Sequence, residues 1–243
     1  MRWLPVVLLV ACDRNIEERQ QAALDAASDA VPTALVVAEL LQHSTQEADP
    51  ETTVTGARHA GDCGCPCIGT VGTADSYVQE LDYAQPSCVP ESEMLPARIG
   101  GHVWLDYDRG DFTLTRSQAW LASRALPDEE HAIDADLSGV FDGKEDLWEA
   151  TVSGEATAGS HSASFSELFI DLGRDVHLDG GVAGGVMVGL SLPRRADDAP
   201  CPLPVEGSFE LDGAVVTWSG DRMVVDVDGE VRDVDACETL ALP

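Results

Sequence analysis

A mainly β fold is predicted by three features of the sequence: an antiparallel meander forming a sandwich or small barrel-like domain, preceded by an N-terminal helical stalk. Apolar residues recur with period two from about Ala74 to the C-terminus, the spacing of strands with one buried face. Asp-Gly pairs at 179–180, 212–213 and 228–229 fall where hairpin turns belong, because Gly accepts positive φ and Asp tolerates it. Ahead of this region, residues 13–49 are rich in Ala, Gln and Glu and lack the alternation.

In the N-terminal region Ile16, Leu24 and Val31 are spaced loosely at helical intervals. Pro32 should end this first helix, since it lacks an N–H and its ring clashes with the preceding turn. A second helix over 33–43 carries a broad apolar face of Leu35, Val37, Ala38, Leu40 and Leu41, expected to dock on the domain rather than on lipid. A polar stretch over 44–61 completes a tether spanning 12–61. The β domain then covers 62–243.

Within it, Tyr77, Leu81 and Tyr83 share one face of a first strand, and Val103, Leu105 and Tyr107 share a face of another. Asp108-Arg109-Gly110-Asp111 reads as the turn into Phe112 and Leu114. Ile133, Ala135, Leu137 and Phe141 alternate with Asp134, Asp136 and Ser138, and Trp148, Ala150, Val152 and Ala156 form the next apolar set. Later segments are 165–172, 176–182, 186–192, 208–218 and 223–231, the last with Met223, Val225, Val227 and Val231 on its dry face. The irregular stretch 122–130 is a candidate division between two sub-sheets. Strands with a single dry face must stack on another layer or curl on themselves.

Charge narrows the function classes. Lys and Arg number 14 against 44 Asp and Glu, a formal net charge of −30. Such a field repels phosphate backbones, which argues against nucleic-acid binding. The acids are dispersed rather than gathered in a tail, so most of them simply solvate the surface. The partner this surface would attract is cationic: a divalent metal, a basic peptide or a basic protein face.

The N-terminus carries an address. Met1 and Arg2 form a minimal positive region, 4–10 is apolar except for Pro5, and Ala11 is the small residue before Cys12. Leu9-Val10-Ala11-Cys12 resembles the lipobox of bacterial lipoproteins. The resemblance implies that 1–11 is a signal peptide, that Cys12 is lipidated after cleavage, and that the protein sits in the bacterial cell envelope, facing periplasm or exterior. The apolar run is far shorter than the roughly twenty residues a membrane-spanning helix needs. One fatty chain anchors only marginally, whereas two or three on one residue hold durably. Alternating segments also occur in outer-membrane barrels, but acidic wet faces, interspersed cysteines and a lipid anchor favour a soluble, tethered domain.

Lipidation of Cys12 leaves Cys63, Cys65, Cys67, Cys88, Cys201 and Cys237, an even set that suggests disulfides in an exported protein. Cys201 and Cys237 bracket the last strands and are the expected pair. Cys88 would close onto one of Cys63, Cys65 and Cys67, whose remaining two must bridge at close spacing or stay free. Those three thiolates could instead converge on a soft ion such as Cu(I) or Zn(II). Their spacing is not the paired zinc pattern, and an oxidising compartment competes for the thiols.

No paired-His zinc motif, nucleophile elbow or phosphate-binding loop is present. The Gly-rich segment 180–189 reads as strand and turn. His102, His131, His161 and His177 are scattered and read as strand-face or loop residues. Asp128-Glu129-Glu130-His131 places carboxylates beside an imidazole, with no second constellation to face it. Asp106, Asp108 and Asp111 around Gly110 are weak calcium candidates, because alternate aspartates supply such ligands; they flank a hairpin and fall short of a full ligand set. Trp104 shares a face with His102 and Asp106 and is expected to pack on the stalk helix or a second sheet.

These features together predict a lipid-anchored envelope protein with a non-enzymatic binding or structural role, no catalytic residue and no resident cofactor beyond the weak calcium and soft-metal sites. Two alternatives stay open. One is an envelope hydrolase or metal-dependent enzyme whose site is assembled from distant strands. The other is a periplasmic metal carrier using Cys63, Cys65 and Cys67.

Overall fold

The period-two alternation resolves into a single antiparallel sheet wrapped on a helix. A computed structural model describes residues 6–46, 67–73, 76–82, 98–109, 111–122, 131–144, 147–159, 161–172, 176–192, 206–220 and 222–235. The helix α1 (Val6–Gln46) comes first. It is followed by β1 (Cys67–Thr73), β2 (Ser76–Asp82), β3 (Arg98–Asp108), β4 (Asp111–Ala122), β5 (His131–Lys144), β6 (Leu147–Ala158) and β7 (His161–Leu172). Then come β8 (Val176–Val182), β9 (Gly185–Leu192), β10 (Glu206–Leu211), β11 (Ala214–Ser219), β12 (Arg222–Val227) and β13 (Glu230–Asp235). Each strand pairs with its sequence neighbours, in the order β1 through β13, and the sheet does not close. The fold is therefore mainly β and a meander, with the helix as its second layer instead of another sheet.

Short local signals explain the hairpins. Ala183-Gly184, Asp212-Gly213 and Asp228-Gly229 all have both residues at positive φ, between 49° and 86°, the two-residue turn whose twist matches paired strands. The β3–β4 hairpin closes through Asp108 opposite Asp111, as expected, with Arg109 at φ 50°. Asp179-Gly180, expected to be a turn, lies instead inside β8, where the pairing with β7 and with β9 shifts register. Gly180 has φ +128°, and a Cβ there would stand 2.4 Å from the Glu167 carbonyl, so the glycine accommodates the extra residue that β7 carries opposite it, a bulge. The chain reverses at Ala183-Gly184, a turn that Ala does not signal.

Two further expectations change. Val231 is 61 % exposed, because the Asp228-Gly229 turn starts a new strand and puts it opposite Asp226, away from buried Val225 and Val227. The strand β1 precedes the region where alternation begins. Residues 123–130 lie outside the described residues, but β4 and β5 pair on either side of them, and one sheet runs past that point.

The helix departs most from expectation. It runs unbroken through Pro32. A proline in a helix interior costs about 3 kcal/mol in isolation, and here the surroundings outweigh it: every residue from 30 to 41 is buried. Before that stretch, burial follows one face, through Gln20, Ala23, Leu24, Ala27 and Ala30. The Ser28 and Thr33 hydroxyls flank the proline and donate to the carbonyls of Leu24 and Asp29, at 2.8 and 2.7 Å. The predicted face of Leu35, Val37, Ala38, Leu40 and Leu41 is docked on the domain, with exposures of 0–4 %. A segment that reads as a stalk packs into the core over 16–41, on one face at first and on all sides from 30 onward. Among the described residues no helix is long and apolar enough to cross a membrane.

Candidate functional site

With the inner face filled by α1, the outer face of the sheet is where exposed polar groups collect, and they collect most densely over β5, β6 and β7. Alternation sends Ala135, Ala156 and Ala163 inward and leaves Asp134, Asp136, Glu155, Thr157, Ser162 and Ser164 exposed. Register aligns them in two rows: Asp136 opposite Glu155 opposite Ser164, and Asp134 opposite Thr157 opposite Ser162. Around them lies an open trough of about 570 Å³, bounded at one end by Ala183.

The trough is acidic. Asp136 and Glu155 are direct cross-strand neighbours, and like charges in that relation repel. No Lys or Arg lines the trough to offset them. Its hydroxyls supply donors and acceptors beside the carboxylates, so the arrangement suits an extended cationic surface. Among the described residues no group of three or more His, Cys, Asp or Glu side chains has an arrangement that could hold a metal ion.

The residues singled out from sequence are spread across the fold. Asp106, Asp108 and Asp111 are all exposed around the β3–β4 hairpin, with Asp106 opposite Thr113. Trp104 is half-buried on the outer face, alternating with buried Val103 and Leu105. It stacks on His102 with ring centroids 5.7 Å apart and planes at 22°. It thus packs on its own sheet instead of the helix, since alternation along β3 turns positions 102 and 104 outward together while Val103 and Leu105 point inward. His131 opens β5 and His177 is half-buried on β8. Cys67 opens β1, and Cys12 lies in α1. Cys63, Cys65, Cys88, Cys201 and Cys237, with Asp128, Glu129 and Glu130, lie outside the described residues.

His161 has a structural partner that spacing alone does not reveal. Its Nδ1 is 2.7 Å from Asp29 Oδ1 on α1, joining helix to sheet beneath the trough. Arg19 donates to Asp228 Oδ2 at 2.6 Å and to the Asp212 carbonyl at 2.9 Å, and Gln20 Nε2 donates to the Glu230 carbonyl at 2.9 Å. The helix is thereby fastened to the tips of the β10–β11 and β12–β13 hairpins. On the inner face, Tyr77 and Tyr107 stack at 4.9 Å. Burial, and secondarily the neighbouring Tyr107, pushes the Tyr77 phenol up to about 12.

No family model matches the chain, and no curated protein or solved structure shows significant similarity to it.

Proposed function

We propose that this chain is a lipid-anchored protein of the bacterial cell envelope, held by Cys12, whose role is binding or structural rather than catalytic. The observation that carries the reading is the lipobox-like Leu9-Val10-Ala11-Cys12, standing one helical turn ahead of Ile16, a helix residue packed against the core. At 1.5 Å per residue, about 6 Å separates these two positions along the axis. An anchor at Cys12 therefore holds the folded body directly at the lipid surface, with the Asp212 and Asp228 hairpin tips beside the helix as it enters the sheet.

Two features support a binding role. The inner face of the sheet is occupied by the chain's own helix, and the outer face presents an acidic, hydroxyl-lined trough that suits a basic protein or peptide. The anchor is tested in cells fed labelled fatty acid, comparing the wild type with Cys12→Ser. The wild-type protein is expected in the membrane fraction carrying label; the variant should lose the label and leave that fraction. An intact leader, or an unmodified sulfur at Cys12 in native material, would overturn the reading. Crosslinking in intact cells should capture a basic partner, and turnover of a substrate panel with nothing captured would replace the binding role with an enzymatic one.

A further inference from the structure

The open sheet has two edges of opposite character. At one, β13 reads Glu-Val-Arg-Asp-Val-Asp, with four charged residues in six. Glu230 and Arg232 stand opposite the inward-facing Val227 and Val225, so this edge carries charge on its inner row as well. Inward-pointing charge on an edge strand is a recognised barrier to pairing with a further strand. At the other edge, β1 reads Cys-Ile-Gly-Thr-Val-Gly-Thr. It holds no charge and no proline in a chain of net charge −30, and among the described residues its pairing partner is β2 alone.

We infer that β1 is an interaction edge, and that its partner is β1 of a second copy, paired antiparallel about Thr70. The choice of occupant rests on the strand's own pattern. A two-fold axis at Thr70 puts Thr70 opposite Thr70 of the second copy, Gly69 opposite Val71, and Ile68 opposite Gly72. Each large aliphatic residue then faces a glycine, and threonines meet at the centre, a favourable cross-strand pair. An antiparallel two-fold contact of this kind is isologous and closes at two copies. It also extends the order already present, since every pair in the sheet is antiparallel. Charge agrees with this choice. A foreign basic strand would gain nothing from an edge with no carboxylate, whereas two bodies of the same strong charge can approach where neither carries any. The inference stands whether or not Cys12 is lipidated.

The two alternatives respond oppositely to salt. Repulsion between like-charged copies is screened as ionic strength rises, so self-association of the full chain should strengthen from low to high salt; a contact with a basic partner would weaken. Sedimentation of the full chain should show a monomer–dimer equilibrium that shifts toward dimer with concentration and with salt. Val71 stands next to the proposed axis, in register with Val78 of β2, so Val71→Lys introduces a charge in the middle of the uncharged edge and should abolish the dimer. Val231→Lys on the other edge should leave it intact. A wild-type chain that stays monomeric at every concentration and salt, or a dimer that survives Val71→Lys, overturns the inference. Should Val71→Lys lose the strand signature in circular dichroism, hydrogen exchange of the wild type decides. Protection of the β1 amides that rises with protein concentration supports the pairing, and concentration-independent exchange refutes it.

Discussion

Tyr77, Tyr107 and Phe112 form a cross-strand row on the inner face over β2, β3 and β4, and Ala135, Ala156 and Ala163 form another over β5, β6 and β7. Both rows face the same core, yet one is aromatic throughout and the other is reduced to methyl groups. The difference follows the helix. Among the described strands, α1 packs most extensively against β7 and next against β6, β11 and β12, whereas β2, β3, β4 and also β5 are not among the strands it approaches closely. Alanines let helix and sheet backbones come near each other, and aromatic rings fill the wider space on the far side, so an off-centre helix is packed to uniform density. The aromatic row ends at Gly139, where a Cβ would stand 3.1 Å from Phe112 Cζ and 2.1 Å from the Thr151 carbonyl. The ring takes the room a side chain would need.

The aromatic side should be the more sensitive to loss of volume. Phe112 is 3 % exposed, and Phe112→Ala is expected to remove about 3–5 kcal/mol, the range for emptying a buried aromatic site. Urea unfolding followed by circular dichroism would measure it. A loss below about 1 kcal/mol would mean that the far side collapses readily and is not a filled wide gap.

The alanine side should be the more sensitive to gain of volume. Ala163→Leu inserts three carbons on the strand against which α1 packs most extensively, and overpacking of this kind costs about 1–3 kcal/mol. Because Asp29 meets His161 two residues away, the same change should weaken that contact as α1 is pushed outward. Unfolding midpoints of the single and double variants with Asp29→Asn would show it as non-additivity. If Ala163→Leu is neutral, α1 does not approach the sheet closely there, and the contrast between the two rows fails.

Legibility in the sequence follows the range of the interaction involved. The Asp212-Gly213 and Asp228-Gly229 turns and the inward sets Val103, Leu105 and Met223, Val225, Val227 were readable because φ preference and alternation are local. The same Asp-Gly dipeptide at 179–180 misled, since positive φ serves a bulge as well as a turn. Pro32 misled for the opposite reason: its local effect is strong, but enclosure of 30–41 on all sides overrides it. The trough could not be read in advance, because bringing Asp136 beside Glu155 depends on the β5–β6 register. The His161 contact with Asp29 depends on where the helix docks. Cys12 is singled out by the lipobox resemblance alone, a signal that owes nothing to the fold.

The smallest expected effect is a pH dependence that tests the aromatic row by its polar end. Tyr77 is 9 % exposed, and its phenol is raised from 10.0 to about 12, by burial first and then by Tyr107. The folded state thus keeps a proton that the unfolded chain releases near pH 10. Below pH 10 both states are neutral at this residue and the burial of the phenol adds no pH dependence. Between pH 10 and 12 the unfolded state is favoured by ionisation, so stability falls as pH rises through that window. Tyr77→Phe removes the ionisation while keeping the ring, and its unfolding midpoint should fall less than that of the wild type across the same interval. Every other ionisable group is common to the two proteins, so the difference between them isolates Tyr77. Equal slopes would mean that Tyr77 is solvated in the folded chain, which would open the aromatic row to water and leave the helix-to-sheet gap unfilled on that side.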